Sequence, residues 1–379
     1  MRKVIHIISL SGRMGGVQQA FRFYYKFAKK NSNFKHYIFT IDKIDKKWGE
    51  LNNSFNIKYS FFRLIYYLFF QNSIIYLHNK LSSQSIFYLL KFLPSKNIIY
   101  HEHGLAWATK TKNEIKRYQI NASLVNKIII NSIATKNLLI KKFKIKKNKL
   151  KLAYYGYKDP KIPKKMFNDK SKKVYVGFIG RFEIFKGVHS LIKAANLLKN
   201  KNIEFHIGGD GYLAEELKKM AKGNKKIKFK GEISNPINFI KKLDILVVPS
   251  IREPLGLVNI EAGLCKVPVI ASNVDGIPEV IRNNYSGILI EPNQKITLKE
   301  HLGKNMLPDF VINPINYKIK KPKELKPKVL AKSILFLSQN KNIRIKYGKR
   351  LYKSIKIKFS IKNYFESIED VYQNLLNNQ

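Results

Sequence analysis

Short runs rich in Val, Ile and Leu recur along this chain, each followed by a stretch of helical period, and the series runs through twice. The runs lack the in–out alternation of a half-exposed strand, as expected for parallel sheets covered by helices on both faces. In the first series the spacing predicts strands at Val4–Leu10, His36–Ile41, Ile74–His78, Asn97–His101, Lys127–Asn131 and Leu150–Tyr154. A glycine-bearing loop, 12–16, leads into a helix at Gln18–Lys30, and Ser132 caps another at Ser132–Phe143. In the second series strands are expected at Val174–Ile179, Glu204–Ile207, Ile227–Phe229, Ile245–Pro249 and Pro268–Ser272. Helices are expected at Gly187–Leu198, Leu213–Lys222, Asn235–Lys242, Gly256–Cys265 and Ile277–Arg282. This is an α/β chain of two Rossmann-like domains. The division is 1–160, a Pro/Lys-rich linker at 161–172, a second domain at 173–350, and C-terminal helices at 351–379. The stretch 295–328 has four prolines and no period, and reads as a loop or a decayed insertion.

A length of 379 residues suits two such domains, and 45% apolar residues suffice for two cores. The single cysteine, Cys265, excludes a disulfide framework and a cysteine-built zinc site, so the default setting is a reducing cytoplasm. The apolar run Leu64–Phe70 is far short of the ~20 residues that cross a bilayer. The opening MRKVIHIISLSG reads as a first strand, not a secretory signal. A net charge of +47 favours an anionic partner, whether phosphate-bearing substrate, nucleic acid or acidic lipid, although a lysine-rich coding bias would produce the same number.

Chemistry concentrates in the second domain. Gly180-Arg181 ends a strand, and Lys186-Gly187 opens a helix. Two cations beside a positive helix end make a phosphate site in kind. Gly208-Gly209-Asp210-Gly211 follows the next strand and permits a tight turn, a weak signal by itself. The strongest constellation is Ser250-Ile-Arg-Glu253-Pro-Leu255-Gly256-Leu257-Val-Asn-Ile-Glu261, at the carboxyl end of a strand, where ligands of open α/β sheets bind. Gly256 leaves the helix amides open to a diphosphate. Glu261, on an apolar helix, needs a hydroxyl or other partner.

These motifs, in this order, resemble those of the family 4 glycosyltransferases, retaining enzymes of the GT-B fold, in which two Rossmann-like domains with parallel sheets face each other across a cleft. The resemblance rests on Gly15-Gly16-Val17, Gly177-Phe-Ile-Gly180-Arg181 with Lys186-Gly187, and Gly209-Asp210-Gly211. It continues through Pro249-Ser250, the Glu253/Glu261 pair, Pro268-Val269-Ile270-Ala271 and Gly276-Ile277-Pro278-Glu279-Val280. It is firm over 174–292 and looser over 1–157. It implies that Arg181 and Lys186 hold the donor diphosphate and that Glu253 contacts the donor sugar. Ser250, Gly180, Gly209 and the backbone near Leu255, Gly256 and Leu257 would line the donor site, and Glu261 would bond the ribose. Gly16, with Gly15, would let the first loop approach the phosphates. Tyr100-His101-Glu102-His103-Gly104 resembles the strand end carrying the family's active-site histidine; the register favours His103, with His101 second. Leu255 stands where an aromatic is frequent, and Asp275-Gly276 replaces a double glycine.

The partners then expected are a nucleotide-sugar donor and a glycan or lipid-linked acceptor, in bacterial surface polysaccharide or lipopolysaccharide biosynthesis, with no nucleic acid. No two aspartates stand two positions apart, so the short acidic metal motif of the other large glycosyltransferase fold is absent. The cations would stabilise the leaving diphosphate, and no metal or cofactor is expected. The stretch Ala20–Lys30, basic and aromatic, suits either a packed first helix or one lying on an anionic membrane surface on the cytoplasmic face. Phe61–Phe70 raises the same question. Two rivals remain: a nucleotide-sugar epimerase or hydrolase on the same fold, and a basic nucleic-acid-binding protein.

Overall fold

In the computed structural model the described residues are 2–10, 16–40, 54–69, 73–78, 81, 88, 90–92, 97–160, 173–298 and 307–377. They form two compact units. Unit 1 comprises Met1–Lys158 with Phe359–Gln379, and unit 2 comprises Asp159–Lys358. Residues 351–358, grouped with the C-terminal helices by the sequence reading, belong to unit 2. The linker at 161–172 and Gly15 lie outside the described residues.

Unit 1 is built on a seven-stranded parallel sheet. Its strands are β1 (Lys3–Ile7), β2 (Lys35–Thr40), β3 (Ser54–Asn56), β4 (Ser73–Leu77), β5 (Ile98–Glu102), β6 (Lys127–Ile130) and β7 (Leu150–Leu152). The order is β3-β2-β1-β4-β5-β6-β7. The chain winds outward from β1 in one direction, then restarts beside it with β4. The crevice between β1 and β4 is therefore the switch point at which such sheets take ligands. Helix α1 (Gly16–Asn31) buries Ala20, Phe21, Tyr24, Tyr25 and Ala28. That is the aromatic stripe considered above for a bilayer, and its place in the core removes it from any membrane. The terminal helix, Ile361–Asn377, packs on α1 through Tyr364 and Phe365, and its Tyr372 hydroxyl meets that of Tyr24 at 2.8 Å.

Helix α2 (Ile57–Phe69) takes in most of the Phe61–Phe70 stretch that raised the membrane question, whereas α3 (Lys112–Leu124) was not expected from the sequence. The first is too uniformly apolar to show a helical period. The second starts on a capping box, in which Thr111 accepts from the Glu114 amide while the Glu114 carboxylate accepts from that of Thr111. Helix α4 (Ile133–Lys141) has Ser132 as its cap, accepting from the Thr135 amide.

Unit 2 repeats the plan with six parallel strands: β8 (Val174–Ile179), β9 (Ile203–Gly208), β10 (Ile227–Phe229), β11 (Ile245–Val248), β12 (Val269–Ser272) and β13 (Gly287–Ile290). The order is β10-β9-β8-β11-β12-β13, with its switch point between β8 and β11. The helices are α5 (Val188–Leu197), α6 (Ala214–Ala221), α7 (Pro236–Ile240), α8 (Leu257–Leu264), α9 (Pro327–Gln339) and α10 (Lys341–Lys358). One core runs from Val176 and Phe205 on the sheet to Leu191, Leu330 and Ile334 on the helices. The helix expected at Ile277–Arg282 is only a 3-10 turn, Ile277–Glu279, because Pro278 and the tight loop around it permit no longer run.

The stretch 295–328 is more than a loop. A small antiparallel pair, β14 (Val311–Ile312) and β15 (Ile319–Lys320), is joined by a bridge between Gln294 and Glu324. The fully buried Glu324 accepts from the Thr297 amide and hydroxyl and from Gln294, and pairs with His189 on α5 at 2.7 Å. That network ties an aperiodic segment to the domain core, which apolar periodicity could not reveal. The terminal helix, Ile361–Asn377, is α11.

Candidate functional site

The unit 2 motifs meet at its switch point. Gly180 and Arg181 follow β8, Lys186 sits in a 3-10 turn (Ile184–Lys186), and Gly187 starts α5. Gly187 has φ +69, and a Cβ there would fall 1.9 Å from the Pro249 carbonyl oxygen, so only glycine lets this turn press on the end of β11. Phe185 locks the two loops from the other side: its carbonyl accepts the amides of Ile251 (2.8 Å) and Arg252 (3.3 Å).

This closure puts the Lys186 ammonium 2.7 Å from Glu253 Oε2. The Ser250 hydroxyl donates to the same oxygen at 3.4 Å. Lys186, Glu253 and Ser250 thus form one group. Arg181 does not join it: its guanidinium is largely exposed and pairs with Glu183 at 2.7 Å. It lies over the Phe185 ring (5.7 Å), as do Lys186 (5.6 Å) and Arg252 (5.1 Å), so one aromatic ring gathers three cations. Gly209 turns against the Gly180 carbonyl, which brings the glycine turn after β9 beside the end of β8.

Gly256, at φ +83, is the N-cap of α8 and offers no side chain to the first-turn amides, whose helix cannot satisfy them internally. Those of Leu257 and its neighbour are open to an anion. Leu255 is buried, so where the resemblance led one to expect an aromatic, the side chain packs inward. Glu261, further along α8, is partly buried; desolvation pushes its carboxyl up to about 8. Among the described residues it has no hydrogen-bond partner. Asn259 on the same helix is fully buried with both amide atoms unpaired.

Asp275 explains the departure from a double glycine. At φ +48 it accepts the Glu253 amide at 2.8 Å and the Ile312 amide at 2.6 Å, tying the Glu253 loop to β14. Burial pushes its carboxyl up to about 7, against those two bonds and the nearby Arg252 charge. Asp275 stood out in the sequence only as a break in a glycine pair, without a structural role, and Phe185 was not singled out.

In unit 1, Gly16 is the first residue of α1; residues 11–15 before it lie outside the described ones. His103 follows β5 and is partly exposed; its Nδ1 meets the Tyr155 hydroxyl at 2.6 Å and its Nε2 meets His78 Nδ1 at 3.0 Å. Burial holds its imidazole down at about 3. His101, the second candidate, is wholly buried and stacks on His103 with ring centres 4.0 Å apart, so of the two only His103 reaches solvent. Glu102 between them shapes the loop: its buried carboxylate accepts the Gly104 and Ala106 amides and the Tyr118 and Tyr100 hydroxyls. His6, His36 and His78 complete a histidine cluster that the sequence reading did not foresee, since its members are spread over four strands.

The segment that carries the unit 2 site has relatives. Residues 158–308 match the family model of the glycosyl transferases, group 1. The group 1 segment holds every unit 2 site residue described above. An uncharacterized glycosyltransferase of Methanocaldococcus jannaschii is 36% identical over 129 residues, 33% of this chain and 36% of that protein. The capsular polysaccharide biosynthesis glycosyltransferase CapM of Staphylococcus aureus is 28% identical over 146 residues, 37% of this chain and 38% of CapM. The chain thus spans little more than a third of the length of these curated relatives. Among solved structures, HepE of Anabaena, in complex with UDP and glucose, is similar at TM-score 0.75 and 16% identity, over 99% of this chain and 100% of HepE. The fold is the GT-B fold of such glycosyltransferases, built here from a seven- and a six-stranded parallel sheet.

Proposed function

We propose that this chain is a metal-independent, retaining glycosyltransferase of family 4. It moves a sugar from a nucleotide-diphosphate-sugar to a glycan or lipid-linked acceptor in surface polysaccharide or lipopolysaccharide assembly. The observation that carries this reading is the Lys186–Glu253 pair, at 2.7 Å, set at the unit 2 switch point beside the uncapped amides of α8. The group 1 match over that segment supports transfer, CapM's printed role supports a polysaccharide setting, and the UDP and glucose of HepE support the donor class.

The chemistry follows from charge. Breaking a sugar–phosphate bond leaves negative charge on the diphosphate and oxocarbenium-like charge on the sugar. Lys186, the α8 amides and Arg181 meet the first, Arg181 having exchanged Glu183 for phosphate oxygens. Glu253, released in part from Lys186, accepts from sugar hydroxyls, and Glu261 accepts from the ribose. His103, held neutral, serves the acceptor side from unit 1 once it gives up one of its two ring hydrogen bonds.

The test is a thermal-shift screen against UDP-, GDP-, ADP- and CMP-sugars, with and without EDTA, beside Glu253→Ala and Arg181→Ala. One donor class should stabilise the wild type whether or not EDTA is present, and the variants should lose that shift. With an acceptor in hand, Lys186→Ala should lower kcat by about 10²–10³. A shift with oligonucleotides alone, or acceptor-free consumption of donor as fast as transfer, would overturn the proposal.

A further inference from the structure

Five of the chain's eight histidines gather at neighbouring strands of unit 1: His36 on β2, His6 on β1, His78 after β4, His101 on β5 and His103 after it. Four of them run in a hydrogen-bonded file, with His101 stacked on His103 beside it. His36 Nδ1 meets His6 Nε2 at 2.9 Å, His6 Nδ1 meets His78 Nε2 at 3.3 Å, and His78 Nδ1 meets His103 Nε2 at 3.0 Å. Burying so many imidazoles costs stability unless something repays it, and apolar residues would fill the same space more cheaply.

Three of them converge. One ring nitrogen from each of His78, His101 and His103 lies within 4.8 Å of the others. The nitrogen that His101 has to offer is Nε2, which is buried and without a hydrogen-bond partner. The remaining nitrogen of each ring is held from behind. His78 Nε2 is met by His6 Nδ1, His101 Nδ1 by the Tyr76 hydroxyl at 2.8 Å, and His103 Nδ1 by the Tyr155 hydroxyl at 2.6 Å. Metal-binding imidazoles are oriented in this way, one nitrogen on the ion and the other on a fixed hydrogen-bond partner.

We propose that His78, His101 and His103 bind one divalent transition-metal ion of the zinc and cobalt class, leaving a fourth position open on the exposed side of His103. Three nitrogens on a tetrahedral ion at about 2.0–2.1 Å stand about 3.3–3.4 Å apart. The 3.0 Å contact therefore opens by a few tenths of an ångström, the wider spacings close, and the stacked rings, now within 14–19° of parallel, turn so that their in-plane lone pairs meet at the ion. Burial keeps all three rings in the neutral form that ligates. The proton between His78 Nδ1 and His103 Nε2 passes to an outer ring nitrogen, towards His6 or Tyr155, so no proton leaves the protein. An ion on His103 Nε2 withdraws that nitrogen from an acceptor, so loading inhibits transfer. That last consequence rests on the function proposed above; binding of the ion does not.

The test is a titration of the whole chain, stripped by chelator and desalted, with Co²⁺ and then Zn²⁺. One equivalent of Co²⁺ should bind with the visible bands of a tetrahedral nitrogen-rich site, and Zn²⁺ should displace it. His101→Ala should abolish those bands. Tyr76→Phe, a milder change that removes only the hydroxyl behind His101, should lower Co²⁺ affinity about 10–100-fold. Folded wild-type protein that takes up no stoichiometric Co²⁺ would overturn the proposal. So would unchanged binding in His101→Ala, which would place the ion elsewhere, such as at the partly buried His206–Glu204 pair.

Discussion

Two carboxyl groups of unit 2 make its stability depend on pH in an unusual direction. Glu261 is pushed up to about 8 and Asp275 to about 7, chiefly by desolvation. An unfolded chain ionises such groups near pH 4, so between pH 4 and 8 the folded protein holds more protons than the unfolded one. Stability from these groups is complete below about pH 4, falls steadily above it, and is gone once the pH has risen through 7 to 8. Glu261→Gln should flatten that decline by up to one proton, roughly 1.4 kcal/mol per pH unit at its steepest, in urea unfolding of the whole chain from pH 5 to 8. An unchanged slope would mean that Glu261 is not desolvated as described. Residue-level legibility followed locality. Lys186, Ser250, Glu253 and Glu261 lie in short motifs at strand ends, where topology alone narrows their positions. The histidine cluster joins residues as far apart as His6 and His103, and no one-dimensional pattern encodes a sheet register that sets β1 beside β4 and β4 beside β5.

At the scale of elements, periodic helices and buried strands were the readable part. Predicted Gln18–Lys30 became Gly16–Asn31, and predicted Gly187–Leu198 became Val188–Leu197. What escaped was held by polar contacts or lacked a clear apolar period: the Glu324 contacts to Gln294 and Thr297, and α2. Helix α2 replaces α1 as the element that would meet a lipid surface. Phe62 is 87% exposed, Tyr66 is half exposed, and Arg63 lies between them in sequence. On a chain of +47 this aromatic-basic face suits the interface of an acidic bilayer. In co-sedimentation with vesicles containing anionic lipid, the wild type should bind at low salt. Phe62→Ser with Tyr66→Ser should bind distinctly less at equal net charge. Equal binding of both would leave charge alone as the cause.

The whole molecule is two similar α/β units, of which unit 2 carries the proposed donor chemistry on contiguous residues. Expressed alone, 159–358 should fold and keep the donor-dependent thermal shift of the intact chain. A fragment that folds but gives no shift would move donor binding out of unit 2. Unit 1 differs, because it is assembled from both ends of the sequence. Helix α11 supplies Tyr364, Phe365, Ile368 and Tyr372 to its interior, and the chain rejoins it where Tyr157 pairs with Ser360. On the ribosome, then, the order of completion inverts the order of translation. The portion of unit 1 that precedes unit 2 must wait, with the Tyr24 face of α1 uncovered, until α11 arrives, while unit 2 can close without delay. Chaperone demand should fall on the early half, and a late stop codon should harm the part of the protein that was synthesised first.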